Sequence, residues 1–320
     1  MGKPIIFLFP GQGCQYYQMG RELFNQPSTF RKWMLKCDII VRDLLGFSLT
    51  AQLYDESRKI SESFDDIRLS HPAIFSFEYA LAQELMARGI EPNYVLGASL
   101  GEYTAATIAG IIDFEEALTA TIGQAKIIDE KCAPGSMIAI LDHYQLYETI
   151  AEISHHSELA AIHFDNHFVV STARKHKKTI EDALRSRDII SQPLTVSYGF
   201  HSSNIDDAYS SLQDLFSKLT LKPAKINLIS CENTRCTNQI SFDHLWKVAR
   251  NPIMFQKTIQ LVENSGRYNY IDIGPSGTLA NFVKYNLTNK STSRIFAAVT
   301  PFNALNSFDR LQQQFGVYLS

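Results

Sequence analysis

A chain of 320 residues, 45% hydrophobic and 20% charged, carries enough apolar material for one large domain or a large domain with a small companion. Its formal net charge of −3 gives no electrostatic reason to expect nucleic acid or an anionic membrane as a partner. Apolar runs such as residues 5–9 are far too short to span a bilayer, no secretory pattern is read, and the five cysteines are scattered without zinc-ligand spacing, so a cytoplasmic protein with reduced thiols is expected.

The opening PIIFLFPGQG, residues 4–13, reads as a buried strand running into a glycine-rich turn. A helical pattern follows over 19–45, with a break at Pro27, and an amphipathic helix over 73–89 ends at Gly89. A strand over 93–97 leads into a tight turn at Ser99, and helices are predicted over 101–110 and 114–130. From residue 136 the texture changes: strand 136–141, helix 144–154, strands 158–164 and 167–173 around Asp165 and Asn166, a basic helix 175–187 and strand 189–196. This β-α-β-β-α-β order is ferredoxin-like. It predicts a small domain over 136–198, inserted into a larger one made of 1–135 and 199–320. The larger pattern resumes with helix 204–219, strand 226–230, helices 244–251 and 255–266, strand 268–277, helix 278–287 and strand 295–300. Strands alternating with helices imply a mainly parallel sheet covered on both faces.

The chemistry-bearing motif is Gly97-Ala98-Ser99-Leu100-Gly101, a G-x-S-x-G between a strand and a helix. Such a turn projects the serine hydroxyl from the top of the sheet, and the amide of Leu100 at the helix start points to where an oxyanion would form. A serine nucleophile needs a base. Of nine histidines, His155, His156, His163, His167 and His176 fall in the inserted segment and read mostly as surface or packing residues. His71 could open a helix or face a pocket; His201 follows where the chain leaves the insert, near the domain junction where clefts form, and is the leading candidate. The turn at residues 9–13 could supply a second backbone donor.

Taken together, FPGQGCQYYQMGREL, LGASLGEYTAA, GSMIAIL, FHSS, NPIMF and DIGPSGTLANFV resemble the malonyl-CoA:acyl carrier protein acyltransferase family. The resemblance implies an α/β fold: an α/β-hydrolase-like large domain with a parallel sheet plus a ferredoxin-like small domain. It implies Ser99 as the nucleophile that carries the acyl group, His201 as its base, and the backbone amides of Gln12 and Leu100 as the oxyanion hole. It implies that a main-chain carbonyl at Met254 orients His201, that Asn251 shapes the turn, and that Asp272 is structural. Ala98, Phe200, Asn166 and Gln124 are expected to face the substrate. Members that use malonyl carry an arginine, where this chain has Gln124, that holds the free carboxylate; Lys126 lies two places on and points elsewhere on a helix. Ala98 stands where the family usually has histidine.

The Gln124 pattern resembles a subgroup of acyl hydrolases from polyketide clusters whose acyltransferases act in trans. The implied function is an editing hydrolase that removes stalled acyl groups from acyl carrier proteins. The alternatives are an acyltransferase for malonyl or another acyl unit and a non-catalytic scaffold that docks carrier proteins. The expected partners are an acyl carrier protein and its acyl thioester, with Arg250, Lys257 and Lys284 as carrier-facing cations. No metal or organic cofactor is expected, because the phosphopantetheine arm or coenzyme A belongs to the substrate.

Overall fold

The computed structural model describes residues 2–301 and 304–315. The first half runs β1 (Ile5–Phe9), α1 (Arg21–Phe24), α2 (Thr29–Leu45), α3 (Leu49–Leu53), α4 (Ile67–Ala87), β2 (Tyr94–Gly97), α5 (Gly101–Ile108) and α6 (Phe114–Lys131). Next come β3 (Gly135–Ile140), α7 (Leu146–Thr149), α8 (Ala151–Ser154), β4 (Glu158–Phe164), β5 (His167–Ala173), α9 (Lys177–Arg185) and β6 (Ser191–Pro193). The chain continues through α10 (Tyr209–Phe216), β7 (Asn227–Ser230), β8 (Arg235–Thr237), α11 (Phe242–Arg250), α12 (Phe255–Ser265), β9 (Asn269–Asp272), α13 (Thr278–Asn286), β10 (Arg294–Ala297) and α14 (Ala304–Phe315).

The helix boundaries follow local chemistry. The break at Pro27 separates α1 from α2, which starts where the Ser28 side chain accepts from Arg31 N and stops at the left-handed Gly46. α4 starts earlier than its apolar pattern suggests: Asp66 caps it by accepting from Arg68 N, and Pro72 is absorbed in the second turn. The single helix expected over 144–154 is two short turns broken at Ile150, and the strand expected over 189–196 is regular only at Ser191–Pro193.

Two sheets result. The larger has the order β10-β9-β1-β2-β7-β8, parallel except for β8, which pairs antiparallel with β7 at one edge. β1 lies inside it, so Ile6, Phe7, Leu8 and Phe9 are all buried, as a strand covered on both faces requires. Helices α2, α4 and α6 cover one face and α12 and α13 the other. The second sheet, antiparallel with the order β4-β5-β3-β6, is the ferredoxin-like one, drawn from residues 135–193.

Alternation along this small sheet creates the cleft. Ile138 and Ile140 of β3 and Phe168 and Val170 of β5 pack on α8 and α9. Their neighbours Met137, Ala139 and Val169 point the other way, into the main core beneath the large sheet's serine turn. β4 also ties the two parts together: Ile162 N donates to Ile253 O, and Ile253 N donates to Ala160 O, both at 2.9 Å.

Candidate active site

Ser99 stands at the end of β2 with φ +56°, in the left-handed region that a β-carbon disfavours. The strain is imposed by crowding around it. Ala98 N still donates to Phe9 O at 3.0 Å, which extends the β1–β2 pairing one residue past the strand. A β-carbon on Gly101 would lie 2.0 Å from Phe9 O, and one on Gly11 would lie 2.8 Å from Ser99 Cβ. Glycine at these two places lets the serine turn and the FPGQG turn press together. The amides of Gln12 and Leu100 have no acceptor among the described residues, and both residues line the cavity that holds Ser99. Ser99 O accepts from Glu102 N at 2.9 Å, so α5 starts directly behind the hydroxyl and presents its positive end to the site.

His201 meets this serine across the junction of the two sheets. Its Nε2 is 2.8 Å from Ser99 Oγ, and its Nδ1 is 2.8 Å from the backbone oxygen of Asn251. Its own amide donates to Ala249 O at 2.9 Å, and its φ is +60°. A carbonyl only accepts, so Nδ1 carries the proton and bare Nε2 faces the serine hydroxyl. Burial lowers the imidazole's pKa to about 4, partly opposed by the Asn251 bond, so the ring is neutral at physiological pH.

The orienting carbonyl therefore belongs to Asn251, not to Met254 as the sequence implied. Met254 O is already taken by the first turn of α12, accepting from Thr258 N at 3.0 Å and Thr258 Oγ1 at 2.8 Å. Met254 N donates to Cys231 O and Ile253 N to Ala160 O, which clamps the turn and leaves the Asn251 carbonyl to face His201.

A hydrogen-bonded network lies behind the pair. The Asn251 side chain donates through Nδ2 to Glu232 Oε1 at 2.9 Å, and Glu232 Oε2 is 3.6 Å from His244 Nδ1. His244 Nε2 is 2.5 Å from Glu102 Oε1, whose other oxygen accepts from Ser230 Oγ at 3.0 Å. Burial works against charge on His244, but the Glu102 hydrogen bond and the charges of Glu102 and Glu232 outweigh it and raise its pKa. Glu102 sits three residues after Ser99, so the network closes on the helix that carries the serine. None of Glu102, Glu232 and His244 was singled out in the sequence.

The cavity in front of Ser99 has a volume of about 290 Å³ and no Lys, Arg, Asp or Glu among its described lining residues. Gln124, Ala98 and Phe200 line it. Lys126 does not reach it; its Nζ donates to Leu44 O at 2.7 Å. Asn166 is a correction: it is exposed in the two-residue turn between β4 and β5 and lies off the cavity. The side chains that do enter from this hairpin are His163 and His167, with Nδ1 atoms 3.0 Å apart. His163 stacks on Phe282, ring centres 4.2 Å apart. Burial lowers both pKa values, and in His163 the charges of His167 and His201 lower it further. Their position in the sixth and first residues of facing strands was visible, but which face they take depends on the β4 bulges.

Of the cations expected to face a carrier protein, Arg250 is held by Asp206, at 2.5 Å, and by Glu158, at 3.4 Å, while Lys257 and Lys284 are exposed on α12 and α13. Asp272 is buried with its carboxylate accepting from Gly274 N and Ala280 N, which fixes the entry to α13. Among the described residues no group of three or more His, Cys, Asp or Glu side chains is placed to hold a metal ion, and no helix is long and apolar enough to cross a membrane.

The acyl transferase domain model matches residues 6–307. Polyketide biosynthesis acyltransferase homolog BaeD of Bacillus velezensis is 43% identical over 303 residues, covering 95% of this chain and 94% of that protein. Its counterpart PksD of Bacillus subtilis is 40% identical over 303 residues, with the same 95% and 94% coverage. Among solved structures, a loading acyltransferase from the avermectin modular polyketide synthase shares the fold with a TM-score of 0.88, at 21% identity, over 97% of this chain and 99% of that one. The malonyl CoA-acyl carrier protein transacylase of Coxiella burnetii does so with a TM-score of 0.82, at 22% identity, over 99% of both chains.

Proposed function

The chain belongs to the acyl transferase domain family, and from that premise we propose that it is an acyl-thioester hydrolase that clears stalled, uncharged acyl groups from acyl carrier proteins in polyketide biosynthesis. The observation that carries the reading is the acyl cavity: the uncharged Gln124 stands where malonyl-using relatives hold the substrate's carboxylate with an arginine, and no Lys or Arg lines the space among the described residues. A buried carboxylate without a counter-charge costs several kcal/mol, about a thousandfold in affinity. The neutral imidazoles His71, His163 and His167 supply no substitute. The names of the two Bacillus relatives support the setting in polyketide biosynthesis.

In this reading Ser99 Oγ attacks the thioester carbonyl as its proton passes to His201 Nε2. The amides of Leu100 and Gln12 receive the developing oxyanion. The C–S bond breaks, and His201 returns the proton to the departing thiolate of the phosphopantetheine arm. A water then gives a proton to His201 while its oxygen attacks the ester carbon. The C–Oγ bond breaks, Ser99 takes the proton back, and a free carboxylic acid leaves.

A transferase shares every one of these groups and differs only in the second acceptor, so substrate and acceptor decide. Carrier protein loaded separately with acetyl, a longer acyl chain and malonyl is incubated with the enzyme and no acceptor, then weighed intact by mass spectrometry. Loss of acetyl and longer chains with malonyl spared is the expected result. Malonyl moving onto Ser99, and from there onto a second carrier protein, would make it an acyltransferase instead. Gln124→Arg should raise malonyl loading in the same assay, because the guanidinium restores a bidentate partner for the carboxylate.

A further inference from the structure

Gln124 on α6 and Tyr103 on α5 meet inside the acyl cavity, with only 2% and 1% of their surface exposed. The Tyr103 hydroxyl is 2.5 Å from Gln124 Oε1 and has no other acceptor among the described residues. A buried phenol proton needs an acceptor, and Gln124 Oε1 is the one in reach, so the amide oxygen faces the tyrosine. The amide group left over is Nε2. It has no partner among the described residues and is not among the atoms sealed from solvent, so it opens on the cavity as a pure donor.

His71 adds a second donor. Its Nδ1 is buried with no partner, and burial lowers the pKa to about 3, so the ring is neutral. Sealed, unpaired N–H groups are rarer than sealed acceptors, which puts the proton on Nε2, the nitrogen left to the cavity. Away from Ser99 and His201, the wall thus offers neutral donors and no cation.

We infer that, among acyl chains of three or more carbons, the cavity favours those with an uncharged acceptor oxygen on the third carbon, as 3-oxoacyl and 3-hydroxyacyl chains have. The inference rests on the acyl-enzyme reading above. In a malonyl unit the carboxylate carbon is the third carbon, and the resemblance places residue 124 against it. A 3-oxobutyryl chain keeps a carbonyl oxygen in that place and replaces the charged oxygen with a methyl group. A plain alkyl chain would drive water from Nε2 and leave the donor unpaired, a penalty of about five- to a hundredfold in relative rate.

The test uses carrier protein loaded separately with 3-oxobutyryl, 3-hydroxybutyryl and butyryl groups, reading the initial rate of Ser99 acylation by intact-protein mass spectrometry. The wild-type chain should acylate at least about fivefold faster from the oxygenated chains than from butyryl. In the double variant Tyr103→Phe/Gln124→Leu the ratio should fall to about one; removing both partners together leaves neither orphaned. Tyr103→Phe alone, which frees the amide to turn, should give an intermediate ratio and serves if the double variant does not fold. A wild-type ratio of one, or a ratio undiminished in the variants, would overturn the inference while butyryl loading still supported the acyl-enzyme reading. No loading from any of the three would overturn both.

Discussion

One proton decides what the Ser99–His201 pair can do. The Asn251 carbonyl holds it on Nδ1, leaving Nε2 bare toward Ser99 Oγ. Burial lowers the His201 pKa to about 4, so the base is already neutral well below the ~6.5 of a free imidazole. The acid limb of kcat/KM for thioester loss is therefore expected near pH 4, and a limb between pH 6 and 7 would show that another group limits the rate. Ser99→Ala should remove the acyl-enzyme mass with the fold intact. Both residues were legible because each carries a backbone demand: glycines crowd Ser99, and His201 sits where the chain leaves the small sheet. The orienting carbonyl was not legible. Every residue has a carbonyl, and the choice between Asn251 and Met254 depends on which one α12 consumes in its first turn. Asn166 failed for a related reason: the hairpin turn turns it to solvent, while His163 and His167 beside it turn inward.

Between elements, the dyad is held by a helix, a turn and a helix end. α5 carries Glu102, the turn after β7 carries Glu232, and α11 carries His244 and ends at Asn251. The Asn251 carbonyl takes the place that a triad acid would fill, and Glu232 acts behind it, through the Asn251 side chain. Glu232→Ala is expected to lower kcat by about tenfold or more with KM little changed, since it loosens a carbonyl that touches no substrate. Glu232→Gln should recover most of the rate, because its amide oxygen can still accept from Asn251 Nδ2. Equal losses in both variants, or a loss confined to thermal stability, would mean that the carboxylate only fills space. At this scale the sequence showed the α/β alternation and the inserted β-α-β-β-α-β segment, since period and punctuation carry them. It did not show β8 or α14. β8 is a three-residue edge strand whose partner is β7, and α14 has a helical stripe whose use depends on the core it covers.

For the molecule as a whole, closing two sheets over one cleft buries several groups in protonation states that water would not choose. Burial lowers the pKa of His71 to about 3 and of His201 to about 4, and it holds that of His163 well below its ordinary value. Below about pH 6.5 the unfolded chain takes up a proton at each, while the folded chain refuses it, so acidification favours unfolding. Two buried carboxyls oppose this. Desolvation raises Asp272 to about 6 and Glu78 well above its usual range, so the folded chain binds those protons before the unfolded one does. Three lowered histidines stand against two raised carboxyls and the raised His244, so the expected net effect of acidification below about pH 6.5 is a loss of stability. His167, lowered in the same direction, adds to the loss. The urea midpoint should therefore fall from pH 7 to pH 5, and His71→Gln should flatten that fall by about one proton. A midpoint that holds or rises at pH 5 would mean that the carboxyls dominate. Because His201 titrates only near pH 4, the fold weakens before the base is protonated. Activity lost to protonation returns as soon as the pH is restored, whereas activity lost to unfolding returns only at the rate of refolding. The time course of recovery after incubation at a pH low enough to abolish activity therefore separates the two, and slow recovery is the expected outcome.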